Sequence, residues 1–172
     1  RAAGLARPLA DRLAPYRWAV LVLAAAGAAL FGGWKIYKAA YAGLTEPQLT
    51  RVMLGTWSVR EVLCHVAGWH REMVPVLERI ARGEKPVLEG VSYDDADPWN
   101  AKFVKAYAGK SAAEVVREVD ATYDALIAAA RKVPEERFAP GRSAARTMDG
   151  VGPHHWREHG EQIRQWRKSQ SI

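Results

Sequence analysis

The sequence contains a single cysteine, Cys64, among its 172 residues. One thiol excludes an intramolecular disulfide framework and any zinc ribbon built on paired cysteines. Strand-like alternation of useful length is missing, and so are internal repeats and low-complexity tracts. With 49% hydrophobic and 26% charged residues, neither global disorder nor a polytopic membrane protein fits. The length suits one ordinary domain plus an appendage.

Acidic side chains are scarce in one region only. Residues 1–51 carry seven Lys and Arg against Asp11 and Glu46, a balance of +5, whereas the remaining residues carry 18 basic and 17 acidic side chains, a balance of +1. The formal charge of +6 therefore belongs mostly to the first third of the chain. A duplex-binding domain would gather its cations on one face. Here basic and acidic residues are interspersed, so no nucleic-acid partner is expected.

The basic region brackets an uncharged stretch, WAVLVLAAAGAALFGGW, from Trp18 to Trp34. As a helix it spans about 26 Å, and about 33 Å with Tyr16 and Tyr37, against a hydrocarbon core of about 30 Å. Tyr16, Arg17 and Trp18 at one end and Trp34, Lys35 and Tyr37 at the other form a membrane-interface pattern of aromatics and cations. No A-x-A-like site follows the run, which argues against a cleaved signal peptide. These features predict a basic N-terminal tail over 1–17, a transmembrane helix over 18–38 continuing into a bundle, and a helical bundle over 39–172. The expected location is a single-pass membrane protein with its bundle on the cytoplasmic side and the lipid bilayer as a partner. A central helix of a water-soluble bundle is the other way to accommodate an all-round apolar segment.

Helix-start signals recur beyond that stretch. Thr45-Glu-Pro-Gln48, Ser58-Val-Arg-Glu61 and Ser111-Ala-Ala-Glu114 are capping boxes. Gly43 and Gly83 stand where helix-closing residues belong. Apolar spacing predicts main helices over about 18–42, 58–82, 98–131 with a break near Gly109, and 153–169, plus a short helix at 46–54. Residues 84–97 and 134–152 read as loops. Pro75 should kink the second main helix, because its ring clashes with the Arg71 carbonyl. The fold class is all-α, a four-helix bundle with an N-terminal transmembrane helix.

The chain has five histidines: His65, His70, His154, His155 and His159. His155 and His159, four apart on a helix, point the same way, and Gln162 and Trp166 continue that face. His65 shares the inward face of its helix with Val62 and Trp69. Two imidazoles from one helix and a third from a facing helix can close a facial three-nitrogen site with a position left open. Core histidines with one satisfied hydrogen bond produce the same pattern. Trp69, Gln162 and Trp166 are placed to line a pocket, whereas Glu158, Glu161 and Cys64 are turned away from the shared face.

The stretch Gly55-Thr-Trp-Ser-Val-Arg-Glu-Val-Leu-Cys-His65-Val-Ala-Gly-Trp69 resembles the second helix of the DinB-like superfamily. Gly43-Leu-Thr-Glu-Pro-Gln-Leu49 is similar to that family's turn after the first helix. Asp97-Pro-Trp-Asn100 with Phe103-Val104 resembles its third-helix region, particularly in the ClbS/DfsB-type branch. His155-Trp-Arg-Glu-His159-Gly-Glu-Gln162-Ile163 resembles its last-helix motif. The resemblance covers about residues 40–168. It implies a four-helix bundle with a divalent metal (zinc, nickel, iron or manganese) on His65, His155 and His159. It also implies a transferase, isomerase or hydrolase acting on reactive small molecules, with a thiol cofactor or small-molecule substrate as partner. The apolar first helix departs from the amphipathic one usual in that family. The alternative function is a non-catalytic accessory subunit that docks on other membrane-protein subunits through its transmembrane helix and bundle.

Overall fold

The structure, a computed structural model, describes residues 32–172. Helix α1 is described over residues 32–41 and is followed by α2 (Glu46–Leu49). A two-stranded antiparallel hairpin, β1 (Val52–Leu54) and β2 (Trp57–Ser58), leads into the central helix α3 (Val59–Ala81). Then come α4 (Asp97–Ala106), α5 (Ala112–Ala130), a 3-10 turn at Glu135–Phe138, α6 (Ser143–Val151) and α7 (Pro153–Ser169). Helix α3 packs against α4, α5, α6 and α7, and the buried core is continuous around it.

Local chemistry accounts for most boundaries. Ser58 Oγ accepts from the Glu61 amide while the Glu61 carboxylate accepts from the Ser58 amide at 2.9 Å, and Ser111 with Glu114 repeats the exchange at the start of α5. Gln48 Oε1 accepts from the Thr45 amide at 2.8 Å. Glu46 Oε1 accepts from the Ala112 amide, so the short α2 also caps α5. Gly43 and Gly83 adopt φ of 76° where α1 and α3 end, a conformation disfavoured for side-chain-bearing residues. The predicted 98–131 helix divides into α4 and α5 at the expected break around Gly109, and the Arg60 guanidinium donates to the carbonyls of Tyr107 and Lys110 in the connection, both at 2.7 Å. Pro75 sits inside α3, which continues unbroken to Ala81. It lies on the exposed face, as does Arg71, so the carbonyl it leaves unpaired faces water.

The membrane expectation is corrected here. Among the described residues no helix is long and apolar enough to cross a membrane. Helix α1 is amphipathic: Trp34, Tyr37, Ala40 and Tyr41 are buried, and Lys35 and Ile36 are exposed. Trp34 stacks on Tyr123 at 4.2 Å between ring centroids and packs edge-on against Trp156 at 5.3 Å. Its indole and the Tyr37 ring are thus bundle core rather than an interfacial belt, and Lys35 stands on the bundle's outer surface. Tyr16, Arg17, Trp18, the tail at 1–17 and the rest of the predicted span up to residue 31 lie outside the described residues. The single-pass location and the bilayer partner therefore have no structural basis among the described residues.

Two further expectations change. The short helix expected at 46–54 ends at Leu49, and the chain turns into β1, with Gly55 at φ 57° making the hairpin turn. The segment 134–152 is not loop throughout, because α6 occupies nine of its residues. Ala144, Met148 and Val151 are buried along one side of α6, a run too short to stand out beside Gly150 and the flanking Gly141 and Gly152. The fold is mostly helical with a small hairpin.

One glycine fixes how closely α4 approaches α3. A Cβ built at Gly68 would overlap the Phe103 side chain. Asn100, one turn before Phe103, consequently reaches the stretch of α3 that carries His65 and Trp69. Gly68→Ala is expected to force α4 outward and lower the unfolding free energy by about 1–3 kcal/mol, measured by urea denaturation with unchanged m-value.

Candidate metal centre

His65 on α3 and His155 and His159 on α7 converge at one point. One ligand atom from each lies within 4.8 Å of the others, and all three residues are buried. His155 Nε2 stands 2.7 Å from His65 Nε2 and 3.0 Å from His159 Nε2. Two interactions outside the triad fix the protons. Trp69 Nε1 donates to Asn100 Oδ1 at 3.0 Å, and an indole N–H cannot accept. Asn100 therefore presents its oxygen, and the His65 Nδ1–H must donate to it at 2.9 Å. His159 Nδ1–H likewise donates to Gln162 Oε1 at 2.7 Å. With Nδ1 protonated, His65 and His159 both aim a bare Nε2 lone pair at the shared point.

His155 stands between them. Its Nδ1 is enclosed and meets no hydrogen-bond partner among the described residues. That atom has no partner in either tautomer, so what distinguishes the states is the shared point: without a cation a single His155 Nε2–H is divided between two facing lone pairs. A cation instead uses all three lone pairs at once. Metal–nitrogen bonds of about 2.0–2.1 Å at tetrahedral angles place ligand nitrogens about 3.4 Å apart, so His155 needs to separate from each of its two neighbours by well under 1 Å. Three neutral imidazoles oriented by amide oxygens fit a divalent cation, and the donor set leaves its identity open.

Burial keeps these imidazoles neutral. It pushes His65 down to about 4, with the neighbouring His159 charge adding to the effect. His155 is lowered well below its ordinary value by burial and then by His159 and His65, and His159 is lowered by burial. Neutral imidazole is the form that binds metal.

His70, which sequence reasoning left without a role, sets the register of the site. It is fully buried, and Trp156 Nε1 donates to its Nε2 at 2.9 Å. Trp156 adjoins His155, so tying the indole to α3 aims the next side chain at His65. Burial holds His70 down to about 3. Asn100 was also missed as a site residue, although its motif was visible. Trp57 on β2 packs against His65 at 5.2 Å between centroids and covers one side of the triad. His154 is exposed, as are Glu158 and Glu161, the last paired with Arg164. Cys64 is buried in the core, and burial pushes its thiol up to about 11.

Two clefts lie near the centre, and none of the three histidines lines either. The larger, 730 Å³, begins at Trp69 and runs between α3, α6 and the loop after α3. The smaller, 250 Å³, is bordered by Gln162 and Trp166 of α7 and by Met53 and Leu54 of the hairpin.

Each buried histidine is neutral when folded and takes up a proton near its ordinary pKa when unfolded. Stability is therefore full above about pH 6.5 and is lost on acidification, at about 1.4 kcal/mol per pH unit for each such group, until the folded-state value is reached. For the metal-free protein, urea midpoints are expected to fall between pH 6.5 and 4, and His70→Gln, which keeps an acceptor for Trp156, should flatten the slope by about one proton. Asn100→Ala, which releases His65 Nδ1, should weaken divalent-metal affinity about 10–100-fold by calorimetric titration.

The family described as the mycothiol maleylpyruvate isomerase N-terminal domain matches residues 30–160. No curated protein matches the sequence. The fold is similar to that of ClbS, the colibactin self-resistance protein, crystallised in complex with double-stranded DNA (TM-score 0.70, 13% identity, 81% of this chain and 91% of that one). It is also similar to DfsB, described as a sibling lethal factor precursor (TM-score 0.69, 20% identity, 83% and 92%). An uncharacterised protein from Escherichia coli UTI89 is a third likeness (TM-score 0.69, 16% identity, 84% and 91%). The ClbS complex corrects the expectation that nucleic acid is excluded as a partner: a protein with this fold has been crystallised on a duplex. The family match begins at residue 30, within the apolar run, and so takes the end of that run as part of the family's own domain. The chain belongs to the mycothiol maleylpyruvate isomerase N-terminal domain family, within the DinB-like superfamily.

Proposed function

We propose that this protein is a metal-dependent enzyme that brings a thiol or water to a reactive small molecule at the His65, His155 and His159 centre. The observation that carries the reading is the proton arrangement: two Nε2 lone pairs are fixed by Asn100 and Gln162, and the third nitrogen lies between them. A divalent cation there supplies positive charge that lowers the pKa of a thiol or water taken as a further ligand. The family's name joins mycothiol to a maleylpyruvate isomerase, which favours a low-molecular-weight thiol as the co-reactant.

The chain's own residues prepare that chemistry. Asn100 and Gln162 hold two imidazoles in the metal-binding tautomer, and the Trp156–His70 bond holds the third in register. Trp57 and Trp69 place apolar surface beside the centre, which limits water there and strengthens electrostatic interactions. Gln162, bonded to His159, borders the smaller cleft with Trp166, and Trp69, which shares Asn100 with His65, borders the larger, so each cleft is separated from an imidazole by one or two side chains. With Glu158 and Glu161 on the exposed face of α7, the cluster contains imidazoles as its titratable groups.

Conjugation of mycothiol with monochlorobimane, followed by fluorescence, tests the reading. Protein loaded in turn with zinc, nickel, iron or manganese should show metal-dependent turnover with at least one of them. Chelation should remove that turnover, metal should restore it, and His159→Ala should lose at least 100-fold. Turnover that survives both chelation and His159→Ala would contradict the proposal.

A further inference from the structure

The 730 Å³ cleft has a built shape and an uneven charge. Its floor is the face of α3 that continues from His65: Trp69, Met73 and Val76 follow at one, two and three turns. One wall is α6, with Val151 at the end nearest His155 and Thr147, Arg146 and Ser143 progressively further away. The other wall is the loop carrying Lys85, Pro86 and Val87. Arg79 Nε donates to the Pro86 carbonyl at 2.7 Å, and the Tyr93 hydroxyl donates to Glu72 Oε1 at 2.9 Å, so both ends of that loop are tied to α3.

Apolar side chains dominate the end near the triad. Two cations, Lys85 and Arg146, stand on the walls, and neither forms an ion pair among the described residues. The one acidic lining residue, Asp94, accepts from the Ser92 hydroxyl at 2.9 Å and keeps its charge, so the lining carries two cations against one carboxylate. Ser143 and Thr147 add hydroxyls on the same wall as Arg146. A cleft of several hundred Å³ with an apolar floor and a few placed polar groups has the make-up of a small-molecule site. Unpaired cations on its two walls select an anionic group on the ligand.

We infer that this cleft binds amphipathic carboxylates. The apolar body lies along Trp69, Met73, Val76 and Val151, and the carboxylate is held by Arg146 and Lys85. Arg146 is five residues from Val151 on α6, a rise of about 7.5 Å, so the end of the ligand opposite its carboxylate is the end directed toward His155 and His65. The inference rests on the proposed function only for what happens at that far end, because carboxylate binding needs no metal.

Decanoate, with 1-decanol as its uncharged counterpart, tests the site on metal-free full-length protein by isothermal titration calorimetry. Decanoate is expected to bind at least 10-fold more tightly than decanol. Arg146→Glu and Lys85→Glu, both exposed and so tolerable to the fold, should each weaken decanoate at least 10-fold while leaving decanol unchanged. Thr147→Trp, which fills the cleft, should weaken both ligands. Because binding is read on metal-free protein, the cleft stands even if the metal-dependent reaction fails. Equal affinity for decanoate and decanol, indifference to both charge reversals, or no decanoate binding at millimolar concentration would overturn the inference.

Discussion

Three imidazole nitrogens face one another inside the bundle with at most one proton to share among them. That arrangement is costly unless something positive occupies the shared point, and much of the surrounding structure serves to impose it. Asn100 is held as an acceptor by an indole that can only donate, which forces the His65 proton to the far side of its ring. Gln162 does the same for His159 from within α7. Trp156 and His70 lock the two helices together one residue away from His155. Each is a buried or half-buried polar contact that would be hard to justify by stability alone, since apolar residues of similar size would fill the same space.

The rest of the fold can be read as support for that convergence. Gly68 admits Phe103 and so lets α4 deliver Asn100. Gly152 joins α6 to α7 where a Cβ would overlap the Met148 carbonyl, so α7 can begin immediately after α6 ends. The aromatic cluster of Trp34, Tyr123, Trp156 and His70 anchors α1 and α5 to the same pair of helices. Beyond His65 the same face of α3, through Trp69, Met73 and Val76, lines a cleft whose walls carry Lys85 and Arg146.

Much of this was legible in the sequence because it is encoded locally. Capping boxes name their own helix starts through residues three apart, and all three are present in the structure. The histidine spacing on α7 is also local, and the inward face of α3 could be read from its period. The parts that were not legible depend on contacts between distant segments. Asn100 acquires its role from Trp69, 31 positions away, and His70 from Trp156, 86 positions away. The hairpin before α3 is too short to show a period, and α6 is a nine-residue helix interrupted in sequence by glycine. The described end of the first helix departs from expectation for a physical reason: the length and flanking aromatics of an apolar run suit a bilayer, but Trp34, Tyr37 and Tyr41 fall on one helical stripe that suits a core equally well. Charge was a similar trap, because an even mixture along the sequence says little about what a folded surface can contact.

The central claim is that His65, His155 and His159 together ligate one divalent cation. X-ray absorption spectroscopy on protein loaded with one equivalent of zinc measures this most directly. The account predicts a first shell containing three imidazole nitrogens at about 2.0–2.1 Å, with the multiple-scattering features of the rings, and loss of that shell in His155→Ala. A shell with no imidazole contribution, or one unchanged in His155→Ala, would contradict it.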